Sequence, residues 1–168
     1  MTAAPAAIAP ITPDALPALL ALNNAHATEL SWLDEERFAA LVGQAFHARR
    51  IGNAEAFLIA FDERADYASP NYLWCRARYE RFAYVDRVAV APAARRRGYA
   101  LRLYADLVER AAQAGHGVVL CEVNSDPPNP LSDAFHARLG FHEIGTAALP
   151  DRGKLVRYLA LPILPQSP

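Results

Sequence analysis

The segment Arg95-Arg96-Arg97-Gly98-Tyr99-Ala100 gathers three guanidinium groups and a glycine at the start of a helical pattern. Apolar residues recur after it at Ala100, Leu103, Tyr104, Leu107 and Ala111, the spacing of one helix face. Before it runs the strand-like stretch Val85-Asp86-Arg87-Val88-Ala89-Val90, joined through Ala91-Pro92-Ala93-Ala94. Strand, tight basic turn and helix, in that order, aim backbone N–H groups and the positive end of a helix dipole at one point. Such a point holds an anion and suits a pyrophosphate. Gly98 allows a positive φ and lets a phosphate come close to the main chain, because no Cβ intervenes. Ala100 keeps the first helical turn thin, and the arginines add charge-assisted hydrogen bonds. The plain alternative is a helix start with a solvated basic turn.

A sheet must position this turn. Residues 6–11 read as a short edge strand. Thr12-Pro13-Asp14 reads as an N-cap with proline at the first helical position, opening a helix that runs to about Asn24. Ser31 or Asp34 caps a second helix through Phe38, Leu41, Val42 and Phe46. Residues 54–61 form an apolar strand, with a weaker one near 49–51. The stretch 62–81 is rich in aromatics (Tyr67, Tyr72, Trp74, Tyr79), carries Pro70-Asn71, and reads as a long hairpin connection. A strand over 82–90 and a helix from Gly98 to Ala114 follow, with Gly115 and Gly117 as the helix stop. A buried strand over 118–123 ends at Asn124. Asn129-Pro130 repeats the cap-plus-proline signal for a short helix that Gly140 ends. Residues 141–146 and 155–161 read as the last two strands, and 162–168 as a frayed tail.

Length and composition bound the function. The 168 residues suggest a single domain spanning 1–168, and 53% hydrophobic with 21% charged residues describes a globular chain. A net charge of −1 argues against nucleic acid as a partner. Only Cys75 and Cys121 are present, so a reducing, cytoplasmic setting is expected. The first residues lack the basic character of a signal peptide, and no apolar run approaches the roughly 20 residues of a membrane span, so no membrane partner is expected. No Cys/His/Asp spacing suggests a metal site. Neither a Walker-type loop nor an early Gly-x-Gly-x-x-Gly is present.

Taken from Val88 to Ala100, the turn with its preceding strand resembles the acetyl-CoA motif of the GNAT superfamily of N-acetyltransferases. In that family a strand ending in Val-x-Pro leads to Arg/Gln-x-x-Gly-x-Gly/Ala at a helix start. The segment from Asn129 through Phe135-His136 to Gly140-Phe141 is similar to a second family segment at the expected distance. The resemblance covers about the C-terminal half of the chain and implies an α/β fold: a mixed, mostly antiparallel central sheet of about six to seven strands with helices on both faces. It also implies a splayed strand pair, the acetyl-CoA wedge, between Val88–Val90 and residues 120–124. There the pantetheine arm would bond to exposed main chain like an added strand. Acetyl-CoA is the implied cofactor. Val88, Ala89, Val90, Arg95, Arg96, Arg97, Gly98, Tyr99, Ala100, Asn129 and Phe135 are the implied cofactor-binding residues. The acceptor implied is a primary amine, on a small molecule or at a peptide or protein N-terminus. A bacterial branch of the superfamily fits these motifs. Homodimers are common in it, and the final strand is the expected shared edge.

Acetyl transfer to an amine needs a base, because an alkylammonium with a pKa of about 10.4 is not a nucleophile. Glu122 lies on the wedge strand among apolar residues, where burial would raise its pKa toward that of a useful base. Asp86, on the opposite wall, is the other candidate. Either could instead form an ion pair with Arg87. His136 stands where the family has a tyrosine serving the departing thiolate, so it is a candidate proton donor or a packing residue. Cys121 must face away from Glu122 on a strand and reads as an inert buried thiol. Asn129 can cap its helix and contact the cofactor at once. The aromatic stretch 67–79 is the expected shaper of the amine pocket, bordered by Asn23, Asn24 and His26. The rival reading is a non-catalytic acyl-CoA-binding sensor or regulatory module, with the phosphate turn intact but no working acid or base.

Overall fold

Strand β3 (Ala56–Asp62) is buried along all seven of its residues, as expected of a strand at the centre of a sheet covered on both sides. Around it, in the computed structural model, which describes residues 5–165, a seven-stranded sheet runs in the order β1-β2-β3-β4-β5-β7-β6. Its other strands are β1 (Ile8–Pro10), β2 (His47–Ile51), β4 (Ala83–Val90), β5 (Val118–Asp126), β6 (His142–Leu149) and β7 (Lys154–Pro162). Every neighbouring pair is antiparallel except β4 and β5, which run parallel. The fold is therefore mixed α/β with a mostly antiparallel sheet, as expected.

Two cores sandwich the sheet. One packs helices α1 (Leu16–Ala25), α3 (Glu35–Gln44) and α4 (Pro70–Arg76) through Leu19, Leu22, Phe38, Leu41, Tyr72 and Cys75. The other packs α5 (Tyr99–Gln113) through Leu103, Tyr104, Leu107 and Ala111, with Phe135 and Leu139 of α6 (Pro130–Leu139) at its margin. A four-residue helix α2 (Ala27–Leu30) follows α1.

Four expectations need correction. The stretch 62–81 is no open hairpin, because Pro70 starts helix α4. Tyr72 is then fully buried, and Trp74 stacks on Tyr158 with ring centroids 3.9 Å apart. That stack requires Gly145 on β6, where an added Cβ would lie 2.5 Å from the Trp74 ring. Second, Thr12 makes no side-chain cap bond, and a short 3-10 turn (Pro13–Ala15) precedes α1. Third, β7 is paired on both sides, so the final strand lies inside the sheet and its edges are β1 and β6. Fourth, the tail expected from 162 begins later, since Pro162 still closes β7, and residues 166–168 lie outside those described.

Candidate active site

Pairing between β4 and β5 covers only Ala83 with Val119 and Tyr84 with Leu120. Just beyond, the register of β4 against β3 jumps from Val85–Ala60 to Arg87–Ile59, leaving Asp86 as an extra residue. Such a bulge bends and twists its strand. It also changes which face each side chain meets. Val85 lies in the α5 core while Ala89 lies in the α1 core, although strict alternation would place both on one face. Past the bulge the β4 edge toward β5 is unpaired. A cleft of about 350 Å³ opens there, walled by Val85 to Val90 on one side and Cys121 to Asn124 on the other.

At the end of β4 a 3-10 turn (Pro92–Ala94) delivers the basic segment. Arg96 takes φ 63° and Gly98 φ 73°, and α5 starts at Tyr99. A Cβ added at Gly98 would meet nothing within 4 Å, so the first turn of α5 faces open space. Val88, Ala89, Val90, Arg95 and Asn129 all line the cleft. Arg96 and Arg97 are exposed on the turn, and Ala100 is half-buried in the first turn of α5. Asn129 caps α6 by accepting from Ser132 N at 3.3 Å. Two residues stand apart. The Tyr99 side chain is buried in the α5 core, leaving only its backbone N–H for an anion. Phe135 packs edge-on against Tyr104, 5.5 Å between centroids, and is not among the residues lining the cleft.

The two carboxylates differ in their surroundings. Asp86 is fully engaged: Oδ2 accepts from Arg87 Nε at 2.7 Å and Oδ1 accepts from the Tyr67 hydroxyl at 2.8 Å. Arg87 is buried and also donates to Asn23 Oδ1 at 2.8 Å, so the ion pair is tied to α1. Glu122 has no cation partner among the described residues. Its Oε2 accepts from the Tyr84 hydroxyl at 2.7 Å. Burial pushes the Glu122 carboxyl up, the hydrogen bonds from Tyr84 and Asn71 pull it back, and the Asp86 charge pushes it up again, to about 7. Cys121 faces the other core, and burial pushes its thiol well above the ordinary range, so it is no thiolate nucleophile.

His136 is buried, and both ring nitrogens are occupied. Nδ1 lies 2.7 Å from the Ser132 backbone carbonyl, which can only accept, so this nitrogen carries the proton. In the neutral ring Nε2 is then an acceptor, and the Tyr104 hydroxyl donates to it at 2.7 Å. Burial holds the imidazole below its ordinary pKa. Tyr104 also lines the cleft. In the sequence, Tyr104 stands only as one position of the apolar face of α5. The signal available was a hydroxyl where the pattern asks for a wholly apolar side chain.

A second pocket, about 240 Å³, opens on the α1 face and shares Asp86, Arg87, Glu122 and Asn124 with the cleft. Of the aromatic stretch only Tyr67 reaches it, together with Ser69 and Asn71 of the same segment. Trp32, Arg37, Arg152 and Lys154 line its outer part, where Lys154 Nζ donates to Thr28 O at 2.8 Å and ties the β6–β7 turn to α2. Asn24 fixes the adjoining segment, donating to Leu33 O at 2.9 Å and accepting from Leu33 N at 3.0 Å. His26 lines the cleft rather than this pocket. Glu122 thus sits where the two spaces meet.

Residues 21–141 match the model of the acetyltransferase (GNAT) family. No protein of curated function matches the sequence. Among solved structures, Ard1 from Thermoplasma volcanium superposes with a TM-score of 0.74 at 14% identity, covering 96% of this chain and 99% of that one. The ribosomal-protein-S18-alanine N-acetyltransferase from Escherichia coli gives 0.68 at 20% identity, with 96% of each chain covered. NAA60 from Arabidopsis thaliana, solved in complex with acetyl-CoA, gives 0.71 at 16% identity, covering 94% of this chain and 98% of that one. At these identities the likeness is one of fold.

Proposed function

The chain belongs to the acetyltransferase (GNAT) family, and on that premise we propose that it transfers an acetyl group from acetyl-CoA directly to a primary amine. The residues present fit the cofactor. Open space over Gly98, the first turn of α5 and Arg95 supports a diphosphate there, and the unpaired β4 edge suits a pantetheine amide chain. When bound, acetyl-CoA supplies the acetyl thioester, and everything else falls to side chains of this protein.

Glu122 carries the reading, because a carboxylate with a pKa of about 7 stands where cleft and second pocket join. It takes the proton of the incoming ammonium, directly or through a water. Asp86 holds Arg87 and Tyr67 and so shapes the bulge rather than moving protons. His136 positions Tyr104. If Nε2 takes a proton from solvent the bond reverses: Nε2–H donates to the phenol oxygen, the phenol O–H passes its proton to the departing thiolate, and Nε2 returns its proton to the phenolate, leaving His136 neutral again. The acceptor is a small-molecule amine or a peptide or protein N-terminus. Two free, buried cysteines fit a reducing, cytoplasmic setting.

Release of the coenzyme A thiol in the presence of a panel of primary amines and free-N-terminal peptides tests this. Amine-dependent release that Glu122→Gln suppresses is expected. The occupied nitrogens of His136 favour a second reading, a binding module without chemistry. Tight acetyl-CoA binding with no turnover on any amine would select it.

A further inference from the structure

At the end of β4 and β5 remote from the cleft lies a group of side chains the acetyl-transfer reading does not use. His116, in the α5–β5 turn, is 4% exposed. Neither ring nitrogen has a hydrogen-bond partner among the described residues. A buried imidazole with both nitrogens idle is costly, and in a folded protein it calls for a missing partner. Asp62, the last residue of β3, and the adjacent Glu63 face it, and one ligand atom from each of the three residues lies within 4.8 Å of the others.

The separations suit a coordinated ion better than direct contact. His116 Nδ1 is 3.6 Å from Glu63 Oε2, too far for a hydrogen bond. Bonds of about 2.0–2.2 Å from one metal to a nitrogen and an oxygen at a tetrahedral angle would place those atoms about 3.4 Å apart. The Phe46 ring, edge-on at 4.9 Å between centroids, fixes the plane of the imidazole. Both carboxylates have arginine neighbours. The Arg64 backbone N–H donates to Asp62 Oδ1 at 3.0 Å, and its Nε and Nη2 donate to Oδ2 at 3.1 and 2.6 Å; that side chain is 77% exposed, so it can swing out to water and release Oδ2. Arg81 Nε is 4.0 Å from Glu63 Oε1, and Oε2 accepts one long bond from Phe82 N at 3.4 Å, so each oxygen keeps a lone pair for an ion.

We propose that Asp62, Glu63 and His116 form a binding site for one divalent transition-metal ion of the zinc type. One imidazole and two carboxylates are a borderline N/O donor set, with water completing the shell. Bound there, the ion ties the end of β3 to the start of β5, which makes it a structural clamp remote from the acyl site. The sequence alone does not reveal the set, because the histidine and the acid pair are far apart along the chain.

The test is calorimetric titration of EDTA-treated, tag-free protein with ZnCl₂ and separately MgCl₂, alongside thermal melts with and without each ion. Expected are one equivalent of Zn²⁺ bound with micromolar or tighter affinity, a raised Tm, and no comparable effect of Mg²⁺. His116→Gln and Glu63→Gln should each weaken Zn²⁺ binding at least about tenfold, the loss typical of a removed metal contact. Glu63 is partly exposed, so its variant stays informative if the His116 variant fails to fold. No stoichiometric Zn²⁺ binding by the wild type, or undiminished binding by folded Glu63→Gln, overturns the proposal. Acetyl-CoA binding is read separately and does not bear on it.

Discussion

The Tyr104 hydroxyl donates to His136 Nε2 at 2.7 Å, and both side chains are buried in the wall of the cleft between β4 and β5. Both side chains line the cleft, and the imidazole Nε2 fixes the phenol hydroxyl there. Tyr104→Phe is expected to lower kcat by about 10- to 100-fold, the low end of what a positioned proton donor contributes, while the acetyl-CoA Kd stays within about twofold. Steady-state kinetics with calorimetry check this. A Kd loss matching the kcat loss would mean that the pair only builds the pocket.

Glu122 sets the pH dependence. With its carboxyl raised to about 7, the base is protonated below that pH, so kcat/KM should rise with pH and level off above about 7. Glu122→Gln should abolish this limb and reduce kcat by about 10²-fold or more. Tyr84→Phe removes a hydrogen bond that holds the carboxyl down, so the limb should move to higher pH. A profile unchanged in both variants assigns the base elsewhere.

Much of this site can be read along the chain because its parts are local. Gly98 with the arginines marks a helix start, and strand alternation separates Cys121 from Glu122. The rest depends on pairing and packing. No local signal places an extra residue at Asp86, since the bulge exists only relative to β3. The aromatic density and Pro70-Asn71 of 62–81 read as a hairpin connection, and only the packing of Tyr72 and Trp74 onto the sheet makes the segment a helix. The role of Tyr104 required knowing that α6 brings His136 beside it.

Buried titrating groups should show in stability as well. Burial lowers the pKa of His136 and of His47, so each favours the fold fully above the unfolded value of about 6.5. That contribution is lost as pH falls through the lower folded values. Glu122 acts in the opposite sense: its raised pKa means that protonation between about 7 and the unfolded carboxylate range favours the folded state. Urea denaturation from pH 7.5 to 5.5, with EDTA present, should show a steeper loss in Glu122→Gln than in wild type and a shallower one in His136→Gln. Parallel slopes in all three would contradict these assignments.

Gly145 is needed for packing rather than for a special φ. Its substitution by Val drives a Cβ to 2.5 Å from the Trp74 ring and breaks the stack on Tyr158. A loss of about 1–3 kcal/mol in chemical denaturation is expected, typical of overpacking a filled site. Unchanged stability would mean that α4 can shift freely off the sheet.

The most direct test of the acetyltransferase reading is calorimetric titration of the purified protein with acetyl-CoA, comparing wild type, Gly98→Ala and Gly98→Glu. The alanine variant bears only the strain of φ 73°, about 1 kcal/mol, because its Cβ meets nothing. The glutamate adds a bulky negative group where the diphosphate would lie. Micromolar binding by wild type, retained in Gly98→Ala and abolished in folded Gly98→Glu, is the predicted result. No binding by wild type, or equal binding by all three, would contradict it and leave the turn as a helix start alone.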